Sequence, residues 1–175
     1  MEEISQEVCP FCHNKTLVLR EDLVDIPYFG KTYVFSMSCQ DSDCNYFKAD
    51  VEAEERKDPC KITFTIRKED DLNIRVVKSS EATVKIPQLR MSVAPGPASN
   101  GYVSNLEGIL NRFKKILEDE RDLSDDDTTR KHAKNLLKKL WKVKTGDMEL
   151  KVVIEDPSGN SAILSKDVLV EKLKV

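Results

Sequence analysis

The chain has 175 residues, of which 39% are hydrophobic and 34% charged, a size that suits one domain or a small module attached to a larger one. No run of about 18 apolar residues is present to span a membrane, and the acidic start Met1-Glu2-Glu3-Ile4 lacks the apolar stretch of a secretory signal. A formal charge of −3 argues against general adhesion to nucleic acid and leaves room only for a local basic patch.

The first region, about residues 8–48, holds four of the five cysteines. Thr16–Val24 and Lys31–Ser38 read as extended, joined by the turn-like Asp25-Ile26-Pro27-Tyr28-Phe29-Gly30. Two cysteine knuckles joined by a hairpin are the plan of a zinc ribbon. The second region alternates apolar and polar residues with period two, as half-buried strands do. Its stretches are Ile62–Ile66, Leu72–Val76 and Ala82–Ile86, and the Pro- and Gly-rich Ala94–Gly101 then reads as a loop.

A helical hairpin is expected next. Ser104-x-x-Glu107 has the form of a capping box, followed by Leu106, Ile109, Leu110, Phe113, Ile116 and Leu117 at helical spacing. Ser124 with Asp125, Asp126 and Asp127 marks a second start, since acidic groups there complement the helix dipole. Ala133, Leu136, Leu137, Leu140 and Trp141 form the second stripe, which Gly146 ends. Strands resume at Met148–Ile154, and Asp156-Pro157-Ser158-Gly159-Asn160 is turn chemistry leading into Ser161–Leu164. Strands on both sides of two helices suggest one β-sandwich with an inserted helical hairpin.

Without a signal peptide, five cysteines read as thiols of a cytoplasmic protein, where spaced cysteines bind metal more often than they form disulfides. Cys9-Pro10-Phe11-Cys12 and Cys39-Gln40-Asp41-Ser42-Asp43-Cys44 are separated by 26 residues. Each pair can supply one edge of a tetrahedron around a single zinc ion. Four thiolates leave no position for water, so such a site is structural rather than catalytic. The second knuckle is wider than the first, and Asp41 or Asp43 could intrude as a ligand. Three other readings explain less. A haem attachment at Cys9–His13 leaves Cys39 and Cys44 unused, a redox dithiol lacks the surrounding βαβ pattern, and inert buried cysteines do not account for two close pairs. Cys60 has no partner and reads as a half-buried free thiol.

Several blocks resemble the Zpr-type zinc-finger protein family, in its single-module, archaeal-like form. They are Cys9-Pro10-x-Cys12, Asp25–Lys31, Phe35–Cys39, Asp71–Ser79, Ala82–Pro87, Ser104–Leu110 and Asp156–Ser161, in the family's order. The resemblance implies an α+β fold. A four-cysteine zinc ribbon over residues 1–50 would precede a double-stranded β-helix (jelly-roll-like) β-sandwich over 51–175, with the helical hairpin inserted at about 104–145. It also implies a partner, translation elongation factor one-alpha, whose folding eukaryotic members assist. The family's second knuckle is usually C-x2-C, and this chain departs from it.

On that reading the chain is a zinc-binding protein-interaction module. Tyr28, Phe29 and Tyr33 are candidates for an apolar contact patch, the alternative being that they pack the ribbon against the sandwich. Arg75 and Lys78 are candidates for a charged partner surface, while Asp156 and Asn160 suit the turn better than a contact. Nucleic-acid binding is the alternative function. Residues 1–50 carry nine acidic and four basic side chains and would repel phosphates. The basic helix 130–144, with seven lysines and arginines and no acidic residue, is the one candidate surface. No catalysis is expected. His13 and His132 stand in different elements and in no iron-binding motif, and neither a phosphate-binding glycine loop nor a nucleophile elbow is present.

Overall fold

The computed structural model describes residues 2–26, 30–54, 57–96 and 99–173, with Ala53 described by its backbone alone. Two candidate contact residues, Tyr28 and Phe29, lie outside the described residues. The chain starts as a four-stranded antiparallel sheet, β1 (Glu2–Glu7), β2 (Leu17–Ile26), β3 (Gly30–Cys39) and β4 (Phe47–Ala53), in that spatial order. The expected hairpin is present. β2 and β3 pair without a break from Leu17↔Cys39 to Ile26↔Gly30. Asp25 and Ile26 therefore extend the strand instead of starting the turn. β4 runs across residue 50, where the ribbon was expected to stop.

The remaining strands form two further sheets. β5 (Cys60–Ile66), β7 (Thr83–Ile86), β8 (Met91–Val93), β10 (Leu150–Asp156) and β12 (Leu169–Lys172) make a five-stranded sheet in the order β12-β5-β10-β7-β8. β6 (Arg75–Lys78), β9 (Tyr102–Asn105) and β11 (Ala162–Ile163) make a three-stranded one in the order β11-β6-β9. The alternating stretches at 62–66 and 82–86 bury their apolar members, as the period requires. Leu72–Ile74 corrects the expectation of a strand. Glu69–Asn73 is a 3-10 turn with Leu72 buried beneath it, and β6 begins only at Arg75. The Asp71 carboxylate accepts the Arg67 and Lys68 amides at 2.8 and 3.2 Å, and the Asp71 carbonyl accepts the Ile74 amide at 3.1 Å. Such local bonds compete successfully with a strand ladder.

Two helices follow, α1 (Leu106–Leu123) and α2 (Asp127–Lys144). The expected Ser104–Glu107 box is displaced by one residue. Ser104 is held in β9 opposite Val76, and Asn105 caps the helix by accepting the Gly108 amide at 2.8 Å. At the second start Asp126 is the cap, accepting the Thr128 and Thr129 amides, while Ser124 closes α1. Gly146, in the left-handed region at φ 73°, follows the end of α2 as expected. Trp141 does not join the apolar stripe. Leu136, Leu140 and Val143 are buried at i, i+4 and i+7, whereas Trp141, about 100° round the helix from Leu140, is 64% exposed.

Inserted in sequence, the helices are integral to the core. Leu110, Phe113 and Leu117 of α1 and Leu140 of α2 share one buried cluster with Phe64 and Ile154 of the central strands. After β10 the Asp156 side chain, fully buried, fixes the turn. Its Oδ1 accepts the Ser158 amide at 2.9 Å and its Oδ2 accepts the Ser161 hydroxyl. β11 then pairs with β6 through Ala162↔Val77 and so joins the smaller sheet instead of β10.

The first sheet abuts the rest at Gly101. Its amide donates to Asp50 Oδ1 at 2.6 Å. A Cβ on residue 101 would stand 2.7 Å from Val51 Cγ2 and 2.8 Å from the Val51 carbonyl oxygen. Close approach of backbone to backbone, more than turn chemistry, requires glycine there.

Candidate metal centre

The cysteines converge because β2 and β3 end together. Leu17↔Cys39 is the last pair of their ladder, and a knuckle is attached to each strand at that end. In the first knuckle the Cys9 amide donates to the Asn14 carbonyl and the His13 amide to the Cys9 carbonyl, both at 2.9 Å. His13 turns the chain at φ 63°, and the Phe11 amide points at Cys9 Sγ, 3.5 Å away. In the second, the Cys39 amide donates to the Tyr46 carbonyl at 2.8 Å and the Cys44 amide to the Asp41 carbonyl at 3.2 Å. The two extra residues of this knuckle are taken up by an Asx turn, in which Asp41 Oδ1 accepts the Asp43 amide at 3.0 Å. Asp41 Oδ2 accepts from Asn14 Nδ2 at 2.8 Å and so ties one knuckle to the other. These bonds hold the Asp41 carboxyl below the usual range, the Asn14 amide contributing most.

All four sulfurs lie within 4.8 Å of one another, and no carboxylate or imidazole belongs to the group. Cys9 Sγ is 3.7 Å from Cys44 Sγ, and Cys12 Sγ is 3.8 Å from Cys39 Sγ. A tetrahedron with zinc–sulfur bonds of about 2.3 Å has sulfur–sulfur edges of about 3.8 Å. Two of the six edges match that value, and the four sulfurs are gathered closely enough to hold one zinc ion. Thr16 Oγ1, 3.1 Å from Cys39 Sγ, adds a polar contact at the rim.

As free thiols these groups compete for protons. Burial pushes the Cys9 thiol up, but the backbone amides of Cys12 and Phe11 and the neighbouring thiols outweigh it and bring the value down to about 7. Cys44 is pushed up to about 12, chiefly by burial and against the help of the Tyr46 backbone. The site thus releases its first proton readily and resists releasing its last, and a bound dication removes that resistance.

A family profile described as the ZPR1 jelly-roll domain matches residues 70–174. A ZPR1-like protein of Methanocaldococcus jannaschii is 38% identical over 169 residues, covering 96% of this chain and 84% of the relative. The chain belongs to the ZPR1 family. A ZPR1-like protein of Pyrococcus horikoshii is 37% identical over 177 residues, covering 99% of this chain and 78% of the relative. The zinc finger chaperone of Schizosaccharomyces pombe is 30% identical over 148 residues, which make up 82% of this chain but 31% of the yeast protein. The jelly-roll match and the cysteine cluster give the α+β architecture expected from the sequence.

The other candidate residues of this ZPR1-family chain are scattered. Tyr33 lies half-buried on β3, its ring stacked on Phe35 with centroids 6.0 Å apart. Arg75 is exposed at the start of β6, but Lys78, three residues on, is 5% exposed and so does not offer its charge to an open surface. Cys60 is half-buried, its thiol raised by burial and by nearby Asp156. His132 is exposed on α2, remote in the chain from His13. No helix among the described residues is long and apolar enough to cross a membrane.

Two aromatic residues at the metal end escaped the sequence reading. Phe11 is 73% exposed inside the first knuckle, and Phe47, next to the Tyr46 that holds Cys39, is 67% exposed. The signal for Phe11 was present. A residue between two ligands of a short knuckle has its backbone turned around the metal and its side chain turned away.

Proposed function

We propose that the chain is a zinc-dependent protein-interaction module that binds translation elongation factor one-alpha and assists its folding or availability. Cys9, Cys12, Cys39 and Cys44 are the metal ligands, and zinc is a structural staple, since four thiolates close the coordination sphere. The observation that carries this reading is the pairing of that closed cluster with the ZPR1 jelly-roll. The name of the fission-yeast relative, a zinc finger chaperone, supports the chaperone role. Exposed Phe11 and Phe47 at the metal end suit an apolar contact, because aromatic anchors dominate interfaces. Arg75 and Tyr33 remain contact candidates on neighbouring surfaces. In this scheme residues 2–53 form the ribbon lobe and the jelly-roll begins beyond them, the protein works in the cytoplasm, and no catalysis is involved.

The test is a pull-down of the full chain with the elongation factor, with and without nucleotide and chelator. Retention that chelator abolishes is the expected result. Absence of retention in every nucleotide state would sink the partner assignment.

A second reading has its own observation. On α2, Lys131, Lys134, Lys138, Lys139 and Lys142 are exposed, and the exposed Trp141 stands among them. Arg130 and Lys144 are occupied by Asp127 and Glu107. Cations around an aromatic ring are the elements of a single-stranded nucleic-acid platform. RNA binding that weakens steeply with salt would support it, and no binding at low salt would remove it.

A further inference from the structure

A cavity of about 310 Å³ opens between the start of β9, α1 and the end of β8, well away in the chain from the cysteines. Its apolar wall includes Val84, Ile109 and Phe113, all belonging to the main core or its edge. Its polar residues are Lys78, Ser99, Asn100, Tyr102 and Arg112.

The two cations are unusual. Lys78 is 5% exposed, and its Nζ donates to the Ser79 carbonyl at 2.8 Å. Arg112 lies over the Tyr102 ring, its Cζ 3.9 Å from the centroid, with Lys78 Nζ 5.7 Å from the same centroid. Neither makes an ion pair among the described residues. A buried ammonium is costly unless paired. The Asn100 Oδ1 is also buried and has no hydrogen-bond partner among the described residues. Two positive charges and one orphaned acceptor thus converge on an apolar space of ligand size, the combination that marks binding pockets.

We propose that this cavity binds a carboxylate carried on a short branched apolar body with an N–H beside it, as in an N-acyl amino acid or the apolar C-terminal residue of a peptide. Lys78 and Arg112 hold the carboxylate, Asn100 Oδ1 accepts the N–H, and the Val84, Ile109 and Phe113 wall takes the side chain. A simple oxyanion is a poorer match, since it brings no N–H for the amide oxygen and leaves the apolar wall unused. Burial lowers the Lys78 pKa, while Asp156 and Asp50 favour its charged form and Arg112 opposes it. A ligand carboxylate adds to the side that keeps the charge.

The test titrates isotope-labelled, zinc-loaded full chain with N-acetyl-leucine, N-acetyl-leucinamide, a pentapeptide ending in free leucine, and inorganic phosphate, following amide shifts by NMR. Saturable shifts at residues 99–102 and 112 with N-acetyl-leucine are expected, with affinity at least ~10-fold weaker for the amide, consistent with loss of a charge-assisted contact. Lys78→Met, which keeps the buried stem, and Arg112→Gln, at an exposed position, should each weaken binding by a similar factor. Arg112→Gln decides the matter alone if the Lys78 variant does not fold. Tighter binding of the pentapeptide identifies a polypeptide terminus as the source, and tighter binding of the free acid identifies a small metabolite. Equal affinity for acid and amide, phosphate binding as tight as N-acetyl-leucine, no saturable shifts, or an unaltered response in Arg112→Gln would overturn the proposal.

Discussion

Replacing Cys39 by serine should separate the fates of the two lobes. Cys39 closes the β2–β3 ladder opposite Leu17, and its sulfur stands 3.8 Å from Cys12 Sγ and 3.1 Å from Thr16 Oγ1. The metal end has little else to hold it. Its buried cluster is Cys9, Leu17 and Cys39, with Leu19 and Tyr46 packed alongside. Full burial of a residue such as Leu17 stabilises by about 1.5–3 kcal/mol, whereas structural zinc contributes ~10–16 kcal/mol in finger peptides. The metal term dominates by several-fold. Cys39→Ser should therefore lose bound zinc, and the amides of Leu17–Leu19 and Ser38–Cys39 should lose their protection from hydrogen exchange. Amides of β5 and β10, packed in a separate core, should keep theirs. Metal analysis and exchange read by mass spectrometry measure both. Unchanged protection at Leu17–Leu19 in metal-free Cys39→Ser protein would refute the view that zinc supplies the ribbon's stability.

Phe113→Ala, which empties a 2% exposed position where helix meets sheet, should cost about 3–5 kcal/mol in urea unfolding while leaving zinc content unchanged. Gly159→Ala should lower the melting temperature markedly, because residue 159 has φ 70° and its Cβ would stand 2.4 Å from the Asp58 carbonyl oxygen. A melting temperature within experimental error of the parent would show that the segment at 57–58 gives way. Removing the α1 cap by Asn105→Ala should cost ~1 kcal/mol, read from the same urea curves. Asp126 carries a pH signature. Its pKa is lowered, first by the Thr129 side chain and then by the Thr129 and Thr128 amides. Its support of α2 is therefore complete above the ordinary aspartate range and is lost as pH falls through the depressed folded value. The stability difference between the parent and Asp126→Asn should shrink as the solution is acidified, and a difference that grew would contradict the assignment.

Strong, regular patterns were legible in the sequence. Cys9-x-x-Cys12 and Cys39-x4-Cys44 marked the metal end, and the helical stripes of 106–117 and 133–140 marked two helices that the structure contains. The illegible parts have two causes, a deciding partner distant in sequence or a local side-chain bond that overrides the apolar pattern. Glu2–Glu7 is a strand although exposed along its length, because β2 offers it an edge. Leu72 and Ile74 alternate like a strand, but Asp71 diverts the backbone into a turn. Trp141 is apolar and next to buried Leu140, but its place on the helix turns it to solvent. Lys78 is a candidate for a charged surface on the sequence alone, yet it is buried and lines a cavity with Ile109, Arg112 and Phe113 of α1. For the site, spacing identified the ligands as candidates but could not show that Asp41 would be spent on the Asx turn instead of the metal.

The contact at Gly101 constrains how this chain can be taken apart. Asp50 accepts the amide of Gly101, the residue just before β9 of the other lobe, and Val51 leaves residue 101 no room for a side chain. The two lobes are therefore keyed to each other and are not beads on a string. A chimera that borrows a ribbon from a relative would have to import the residues facing Asp50 and Val51 as well, so the natural cut for such grafting lies within the jelly-roll's own chain and not at the link between lobes.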